Sequence, residues 1–281
     1  MFKIATIAGS DASGGAGLEA DLKTFEEYGL FGMAAVTLIA TMDPANNWAH
    51  NVFPVDETAL RAQLETIFNG VGIDTLKSGM LGTFYAVELT REYVSASTIR
   101  NYVLDPVMIC KGAGQALNPE LNEAVEKKLL PLAEIVTPNL FEAEQLSGLK
   151  EIATLEQMKE AARIIAGKGA RHVFIKGGSK LPGMTRAVDI LFDGRDFELF
   201  EGVLVKTNWT HGAGCTTAAA IASGLARGLS VHDSAALAKK FITESLSAGF
   251  PLNQWVGPGN PSNWRKDVLF GQGSTDLFNR E

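Results

Sequence analysis

Glycines at the start of a predicted helix are the most informative chemical feature of the sequence. The segment WTHGAGCTTAAAIASGLARG has two glycines directly before an Ala- and Thr-rich helical pattern, Gly212 and Gly214. Glycines there let several backbone N–H groups converge, and the helix dipole adds partial positive charge, which predicts a cradle for an anion. Taken alone, an ordinary tight turn with small residues packed against a sheet explains the same letters.

A cysteine falls in the first turn of the same helix. The N–H groups and the helix dipole favour a thiolate at this place, so we expect Cys215 to ionise more readily than a free cysteine, whose pKa is about 8.5, and to act as a base. The alternative is a small buried residue packed like alanine. Cys110 is the other of the 2 cysteines, and so small a number without metal-ligand spacing excludes a disulfide framework.

Polar residues also follow several of the predicted strands. Asn139 and Glu142 stand three apart at the start of a helix, where they form either a capping box or a pair that holds magnesium-bound phosphates. The carboxylate of Asp105 at another strand end is suited to the same metal through water. Lys176, followed by two glycines, is either a phosphate-binding lysine or a strand-end lysine that faces solvent.

The opening segment IAGSDASGGAGLEADLKTF predicts a strand, a glycine-rich loop and a helix. It contains no G-x-G-x-x-G and no lysine of the P-loop type follows, so a dinucleotide-binding dehydrogenase and a P-loop protein are disfavoured. We expect Asp11, Gly14 and Gly15 to line a pocket for a small molecule. A plain helix-entry loop is the alternative.

Short apolar runs alternate with amphipathic stretches along the whole chain, which is typical of an α/β protein with a mostly parallel sheet. Predicted strands cover residues 3–8, 33–40, 75–78, 102–105, 135–137 and 172–176. Ligands bind such sheets at the carboxyl ends of the strands, where the polar residues above lie. Residues 187–205 predict an antiparallel β-hairpin at one sheet edge, and 214–227 and 231–248 predict long helices.

The composition restricts the partners. The chain has 281 residues, a formal net charge of -7 and a pI near 5.3, which disfavours nucleic acid and anionic membranes because both attract clustered Lys and Arg. The most apolar stretch, residues 33–40, is too short to span a bilayer, and no secretion signal is visible. We therefore expect a cytoplasmic protein without a membrane or nucleic-acid partner.

Several long motifs occur in an order that resembles the hydroxymethylpyrimidine and pyridoxine kinases of the ribokinase superfamily. They are IAGSDASGGAGLEADLKTF, KSGMLGT, DPVM, TPNLFEAEQLSG, IKGG and HGAGCTTAAAIASGLARG. The segment DPVMICKGAGQALNPE resembles the bacterial pyridoxal kinases that carry two active-site cysteines. The resemblance implies a three-layer ribokinase-like fold and a single kinase domain over residues 1–257. The tail over 258–281 is rich in Gly, Pro, Asn and Ser, and we expect it to be loosely ordered.

The resemblance also implies an activity, the ATP-dependent phosphorylation of the 5′-hydroxymethyl group of pyridoxal or a related vitamin by a homodimer that uses Mg²⁺. An anion hole for the phosphoryl group would consist of Gly212, Ala213, Gly214 and Cys215. Magnesium and the nucleotide would be held by Asp105, Glu142, Asn139, Lys176 and Gly214. The vitamin ring would be contacted by Asp11, Met80, Val107 and His50. Cys110 would lie over the pocket on a lid loop, residues 111–115.

Three alternatives stay open at this point. A hydroxymethylpyrimidine kinase of thiamine synthesis would share the fold and the reaction, but its substrate has no aldehyde for Cys110 to capture. A non-catalytic vitamin-binding protein would not need Asp105, Glu142 and an intact HGAGC segment. A redox switch that joins the two cysteines is the third. The sequence does not rank pyridoxal, pyridoxine, pyridoxamine and the pyrimidine as substrates.

Overall fold

A nine-stranded sheet forms the centre of the molecule in the computed structural model, which describes residues 2–108 and 119–265. The strands are β1 (Lys3–Asp11), β2 (Phe31–Asp43), β3 (Ala49–Pro54), β4 (Thr75–Ser78), β5 (Asn101–Leu104), β6 (Ile135–Val136), β7 (His172–Gly178), β8 (Ala187–Phe192) and β9 (Phe197–Gly202). Their order is β3-β2-β1-β4-β5-β6-β7-β8-β9. The pairs from β2 through β7 are parallel, and β3, β8 and β9 pair antiparallel.

Helices cover both faces of this sheet. They are α1 (Gly17–Glu27), α2 (Glu57–Glu65), α3 (Phe84–Ala96), α4 (Pro119–Lys128), α5 (Leu140–Ser147), α6 (Leu155–Gly167), α7 (Ala213–Ala226) and α8 (Val231–Ser247). One apolar core lies between the sheet and α1, α7 and α8, and a second lies between the sheet and α2 through α6. The predicted α/β class with a mostly parallel sheet is confirmed.

Side chains that cap the helices explain where several of them begin. The cap oxygens accept hydrogen bonds from backbone N–H groups of the first turn, which have no partner within the helix. Such caps are Asp56, Thr83, Asn139, Thr154 and Ser230. Helix α7 is different, because its N-cap is Gly212 and no side chain caps it. The N–H of Ala213 donates to the Thr210 carbonyl oxygen at 3.2 Å, and no side chain caps the N–H groups that follow it.

The two ends of the sheet were predicted unequally well. The hairpin of β8 and β9 is antiparallel and lies at one edge, as predicted. The opposite edge strand, β3, was not predicted, because it becomes a strand only by pairing antiparallel with β2 from Leu38 opposite Pro54 to Asp43 opposite Ala49. This pairing also extends β2 three residues beyond its predicted end.

The segment after residue 257 is ordered as far as it is described. Residues Pro261–Arg265 form a 3-10 turn, and the Trp264 ring packs on Phe241 of α8 at 5.5 Å between centroids. Arg265 pairs with Glu27 of α1. The loosely ordered tail predicted for 258–281 is therefore wrong for 258–265, because these side chains find partners on two helices. The domain boundary at 257 stays a prediction.

Candidate active site

The predicted site residues meet in one cleft at the carboxyl ends of the parallel strands, as expected for such sheets. The polar and glycine residues that line it include Asp11, His50, Lys77, Asp105, Asn139, Glu142, Lys176, Lys180, His211, Gly212, Gly214 and Cys215. Met80 and Val107 line it as well. Ala213 begins α7 but does not line the cleft, and Gly14 and Gly15, which were expected beside Asp11, line a separate pocket instead. Cys110 and its lid segment, residues 111–115, lie outside the described residues.

The glycine cradle is fixed by the backbone at the start of α7. Gly212 has a φ of 74°, a left-handed conformation that disfavours other residues, and a Cβ there would lie 1.8 Å from the carbonyl oxygen of Gly15. This close approach joins the start of α7 to the loop that follows β1. Uncapped N–H groups and the helix dipole then face the cleft, and this arrangement suits an anion.

Lys176 and Asp105 form an ion pair beside this cradle. The Nζ atom of Lys176 lies 2.7 Å from Oδ1 of Asp105, and a Cβ on Gly214 would lie 3.4 Å from the same Nζ. Burial opposes the charge on Lys176, but Asp105 and Glu142 raise the pKa of its ammonium group. A permanently charged lysine therefore lies next to the N-terminus of α7, which extends the positive region of the cleft.

Asn139 and Glu142 form the predicted capping box. Asn139 accepts a hydrogen bond from the Glu142 N–H at 3.0 Å, and Oε2 of Glu142 accepts one from the Asn139 N–H at 2.8 Å. Both side chains also line the cleft. The capping role is thus confirmed, and the same geometry leaves the metal role of Glu142 as a hypothesis.

Asp105 and Glu142 have the chemistry of a magnesium site. Magnesium binds one or two protein carboxylates and takes its other ligands from water and phosphate, and two carboxylates share the cleft wall. No group of three or more His, Cys, Asp or Glu residues suited to a metal occurs within residues 2–108 and 119–265. A fully protein-ligated metal in that part of the chain is therefore not indicated, whereas a metal shared with nucleotide phosphates fits the donors present.

A hydrogen-bonded histidine and aspartate form the other side of the cleft. His211 Nε2 lies 2.7 Å from Oδ2 of Asp11, and Asp11 also accepts hydrogen bonds from the N–H groups of Ser13 and Ala16. Burial alone would raise the pKa of Asp11, but the bonds from His211 and Ser13 lower it to about 2. Burial and His211 lower the pKa of His50. No role was predicted for His211 from the sequence, although this residue begins the HGAGC segment.

The expected acidification of Cys215 is wrong. Its thiol is at the third residue of α7, but burial raises its pKa to about 11, and this effect exceeds the lowering by Lys77 and by the Gly17 N–H. Asp105 and Asp21 raise the pKa further. The helix dipole was visible in the sequence, whereas the depth of burial and the two carboxylates depend on the tertiary fold.

Two lysines of the cleft were missed. Lys77 is buried within β4 and Lys180 follows the glycines after β7. A signal existed for Lys77, because it is a charged residue within a short apolar run that precedes Ser78 and Gly79. Its partners come from distant parts of the sequence, so its role was not evident.

Within residues 2–108 and 119–265, no helix is long and apolar enough to cross a membrane.

Comparison with known proteins identifies the family. The family model described as phosphomethylpyrimidine kinase matches residues 11–260. A putative pyridoxine kinase of Treponema pallidum is 54% identical over 265 residues, which cover 94% of this chain and 98% of the relative.

Solved structures give the same result. The ADP complex of Bacillus subtilis pyridoxal kinase superposes with a TM-score of 0.91 at 50% identity, covering 94% of this chain and 99% of that one. Staphylococcus aureus pyridoxal kinase in complex with AMP-PCP and pyridoxal has a TM-score of 0.89 at 43% identity, covering 95% of each chain. The glycine cradle, the lysine beside it and the strand-end carboxylates thus lie in a fold shared with ATP-dependent kinases, and the chain belongs to the phosphomethylpyrimidine kinase family of the ribokinase-like superfamily.

Proposed function

We propose that this protein is an ATP-dependent pyridoxal kinase, which transfers the γ-phosphoryl group of ATP to the 5′-hydroxymethyl oxygen of pyridoxal and also accepts pyridoxine and pyridoxamine. One observation carries the proposal: a single cleft combines an uncapped helix N-terminus and Lys176 with a polar subsite built from Asp11, His50 and His211. The first part suits phosphate and the second suits a small polar ring. Relatives named pyridoxine and pyridoxal kinase at 43–54% identity support the assignment.

The anion cradle serves the transferred group. Phosphoryl transfer has a loose transition state with charge on the equatorial oxygens, so positioning and charge neutralisation provide most of the catalysis. The N–H groups at Gly212 and Gly214 and the Lys176 ammonium group are assigned to that charge, whereas the Ala213 N–H donates to the Thr210 carbonyl oxygen at 3.2 Å. Asp105 and Glu142 are assigned to Mg²⁺, which would neutralise the nucleotide phosphates when bound, and Asn139 to the nucleotide.

The vitamin occupies the opposite part of the cleft in this proposal. The ring lies against Met80 and Val107. Its polar substituents form hydrogen bonds with the side chains of Asp11, His211 and His50. The thiolate form of Cys215 accepts the proton of the hydroxymethyl group as that oxygen bonds to the γ-phosphorus and ADP leaves. With a pKa of about 11, only a small fraction of the thiol is thiolate at neutral pH. A loose transition state places little demand on the base, because the proton leaves late in the transfer.

A hydroxymethylpyrimidine kinase is the second candidate, and the matching family model favours it. The two activities use the same phosphoryl apparatus and differ only in the ring. Cys110 is assigned to the aldehyde of pyridoxal, a group that the pyrimidine lacks, and this assignment favours the vitamin B6 substrate. A binding protein without activity is disfavoured because Asp105, Glu142, Lys176 and the start of α7 line one cleft, and a binding protein would not need these groups.

Two further expectations concern the setting of the reaction. We place the enzyme in the cytoplasm, where ATP is available. We also expect a homodimer, as the resemblance implies. Edge strand β3 exposes Val52 and Phe53, with 40% and 57% of their surface accessible, and an apolar sheet edge is commonly covered by another chain.

The direct test is product formation. Pure protein incubated with ATP, Mg²⁺ and pyridoxal should release ADP and pyridoxal 5′-phosphate in equal amounts, measured by chromatography and mass spectrometry. ADP release that does not depend on the vitamin would instead indicate an ATPase. No release with any of the vitamins or the pyrimidine would favour the binding protein.

A further inference from the structure

Lys77 is a charged side chain of the cleft that has no part in the proposed mechanism. Lys77 lies in β4, whose four residues are all buried, and its side chain is 0% exposed. A buried ammonium group is costly unless it is paired and hydrogen-bonded. Its Nζ atom donates to both carboxylate oxygens of Asp21 in α1, at 3.0 and 2.9 Å. The Thr6 hydroxyl donates to Oδ2 of Asp21 at 2.6 Å, which fixes the carboxylate.

The same ammonium group also faces Asp105. Its Nζ atom lies 3.9 Å from Oδ2 of Asp105, while the other oxygen, Oδ1, lies 2.7 Å from Nζ of Lys176. Asp105 is therefore held between two lysines from different strands, one on each carboxylate oxygen. The other partner of Lys77, Asp21, is a side chain of the protein, so the ammonium group is held by protein groups on both sides.

Gly79 provides the space for this ammonium group. A Cβ at Gly79 would lie 2.8 Å from Nζ of Lys77 and 3.4 Å from Cβ of Ala8. The KSG sequence therefore combines a buried lysine with the only residue type that leaves its head group room beside the chain. The polar head of Lys77 then lies at the floor of the cleft and not within the apolar core.

Helix α7 packs on β4, and Lys77 and Cys215 line the same cleft. We propose that Lys77 is a positioning residue: anchored by Asp21, its ammonium group holds the Asp105 carboxylate in place and offsets the negative charge around the Cys215 thiol. The catalytic part of this inference rests on the proposed function, whereas the effect on the thiol does not.

The charged groups around the Cys215 thiol determine in which direction each substitution should change its thiolate fraction. The titratable groups that line the cleft with Cys215 are Asp11, His50, Lys77, Asp105, Glu142, Lys176, Lys180 and His211. Asp21 of α1 does not line the cleft and pairs with Lys77. After burial, which raises the thiol pKa, Lys77 has the largest effect and lowers it, while Asp105 and Asp21 raise it. Loss of Lys77 and loss of Asp21 should therefore change the thiolate fraction in opposite directions.

The test uses the reactivity of Cys215 with neutral iodoacetamide. In a Cys110→Ala background, Cys215 is the one cysteine left of 2, and its alkylation rate is followed by mass spectrometry from neutral to alkaline pH. A shift of one pKa unit changes the thiolate fraction by about tenfold below the pKa. We expect Lys77→Met to slow alkylation by about threefold to tenfold at a fixed pH and Asp21→Asn to accelerate it.

Opposite signs separate charge from loosened packing. A structural disturbance would make the thiol more accessible and accelerate alkylation in both variants, and that result would overturn the proposal, as would unchanged rates in both. Should Lys77→Met not fold, the variant Lys77→Met with Asp21→Asn removes the pair together and should still react more slowly than the parent, because Lys77 has the larger effect. Unchanged or faster alkylation in this variant would also overturn the proposal.

A second buried pair provides the control. Lys239 and Asp189 lie 2.6 Å apart with side chains 8% and 6% exposed, and neither lines the cleft. Lys239→Met with Asp189→Asn should leave the alkylation profile unchanged. An equal shift in this control would show that any buried pair has the effect and would overturn the specific role of Lys77.

Kinetics with pyridoxal tests the catalytic part. Lys77→Met should lower kcat by about tenfold or more with the KM for ATP changed by less than about threefold, since the interaction is with the reacting groups. A change in KM alone would contradict the positioning role. If the parent does not phosphorylate any vitamin, the proposed function fails, and the alkylation result then still decides whether Lys77 controls the thiol.

Discussion

At the scale of single residues, the site depends on contacts between distant parts of the chain. Asp11 and His211 are 200 positions apart, yet they share a hydrogen bond of 2.7 Å. The sequence indicated Asp11 because it follows a strand and precedes glycines, but nothing near it pointed to His211. The same limit explains why no role was predicted for Lys77, because its partner Asp21 is 56 positions away in the sequence. Strand-end residues are predictable from local pattern, and their ion-pair partners are not.

The lowered pKa of Asp11 predicts an acid-dependent contribution to stability. The folded pKa of about 2 is below the usual 3.8, so the charged carboxylate stabilises the fold above about pH 3.8, and this contribution is lost as the pH falls towards 2. Its size is at most about 2 kcal/mol and is reduced by solvent screening.

Urea unfolding of the parent and of Asp11→Asn, followed from neutral to acid pH, measures this contribution. The parent should be the more stable protein above pH 3.8, and the difference should shrink in more acid solution. A difference in unfolding free energy that stays constant with pH would show that the carboxylate charge is not responsible.

The two cysteines should affect substrates unequally. Cys215 is assigned to the hydroxymethyl proton, so Cys215→Ala should lower kcat/KM for pyridoxal and pyridoxine by similar factors. Cys110, which lies outside the described residues, is assigned to the aldehyde as a hemithioacetal, so Cys110→Ala should lower pyridoxal phosphorylation more. Steady-state kinetics with both vitamins gives the ratio, and thermal melting excludes misfolding. A constant ratio in Cys110→Ala contradicts aldehyde capture, and full activity in Cys215→Ala contradicts the base.

At the scale of elements, we expect the largest loss of kcat from a substitution at the start of α7. Gly214→Val places its branched side chain beside Lys176, since a Cβ there would already lie 3.4 Å from Nζ. Because the N–H groups meet charge that develops during transfer, kcat should fall by about a hundredfold while ATP affinity stays nearly unchanged.

The matched control is Gly167→Val in α6, where a Cβ meets nothing within 4 Å, and it should keep full kcat. Stopped-flow or coupled assays give kcat, and isothermal titration gives ATP affinity. A folded Gly214→Val protein with parental turnover would exclude the cradle from the reaction.

A substitution at Glu142 tests whether this helix-capping residue also binds the metal. Glu142→Gln keeps an amide oxygen that can accept the Asn139 N–H but removes the charge, so we expect a higher Mg²⁺ requirement and a lower rate with little change in melting temperature. Thr154→Ala, at the cap of α6, should cost about 1 kcal/mol of stability and leave the Mg²⁺ dependence intact. Parental Mg²⁺ dependence of Glu142→Gln would leave Glu142 as a cap alone.

Most elements followed from local pattern, and the exceptions have physical causes. The strand at 75–78 was predicted with its observed bounds, since its short apolar run ends at a glycine. Strand β3 was missed because it is half exposed, ends at Pro54 and owes its conformation to pairing with β2. The capping box at Asn139 was predicted because its information lies within four residues.

At the scale of the whole molecule, the fold brings one end of six parallel strands together with the start of α7. The cleft there is lined by residues of β1, β2, β3, β4 and β7, of the loops after β4 and β5, and of α5. Order along the chain allowed the resemblance to be recognised, because the motifs are long and local. The raised pKa of Cys215 depends on the assembled molecule, since burial and Asp21 act only after α1 and α7 pack together.

The central claim is that this cleft phosphorylates a vitamin B6 alcohol in preference to a pyrimidine. The most direct measurement is competition: equal concentrations of pyridoxal and hydroxymethylpyrimidine are incubated with ATP and Mg²⁺, and both phosphorylated products are quantified by mass spectrometry. The ratio of products equals the ratio of kcat/KM values. We predict pyridoxal 5′-phosphate as the major product, by about tenfold or more, because only pyridoxal offers an aldehyde to Cys110. A majority of hydroxymethylpyrimidine phosphate would contradict the account.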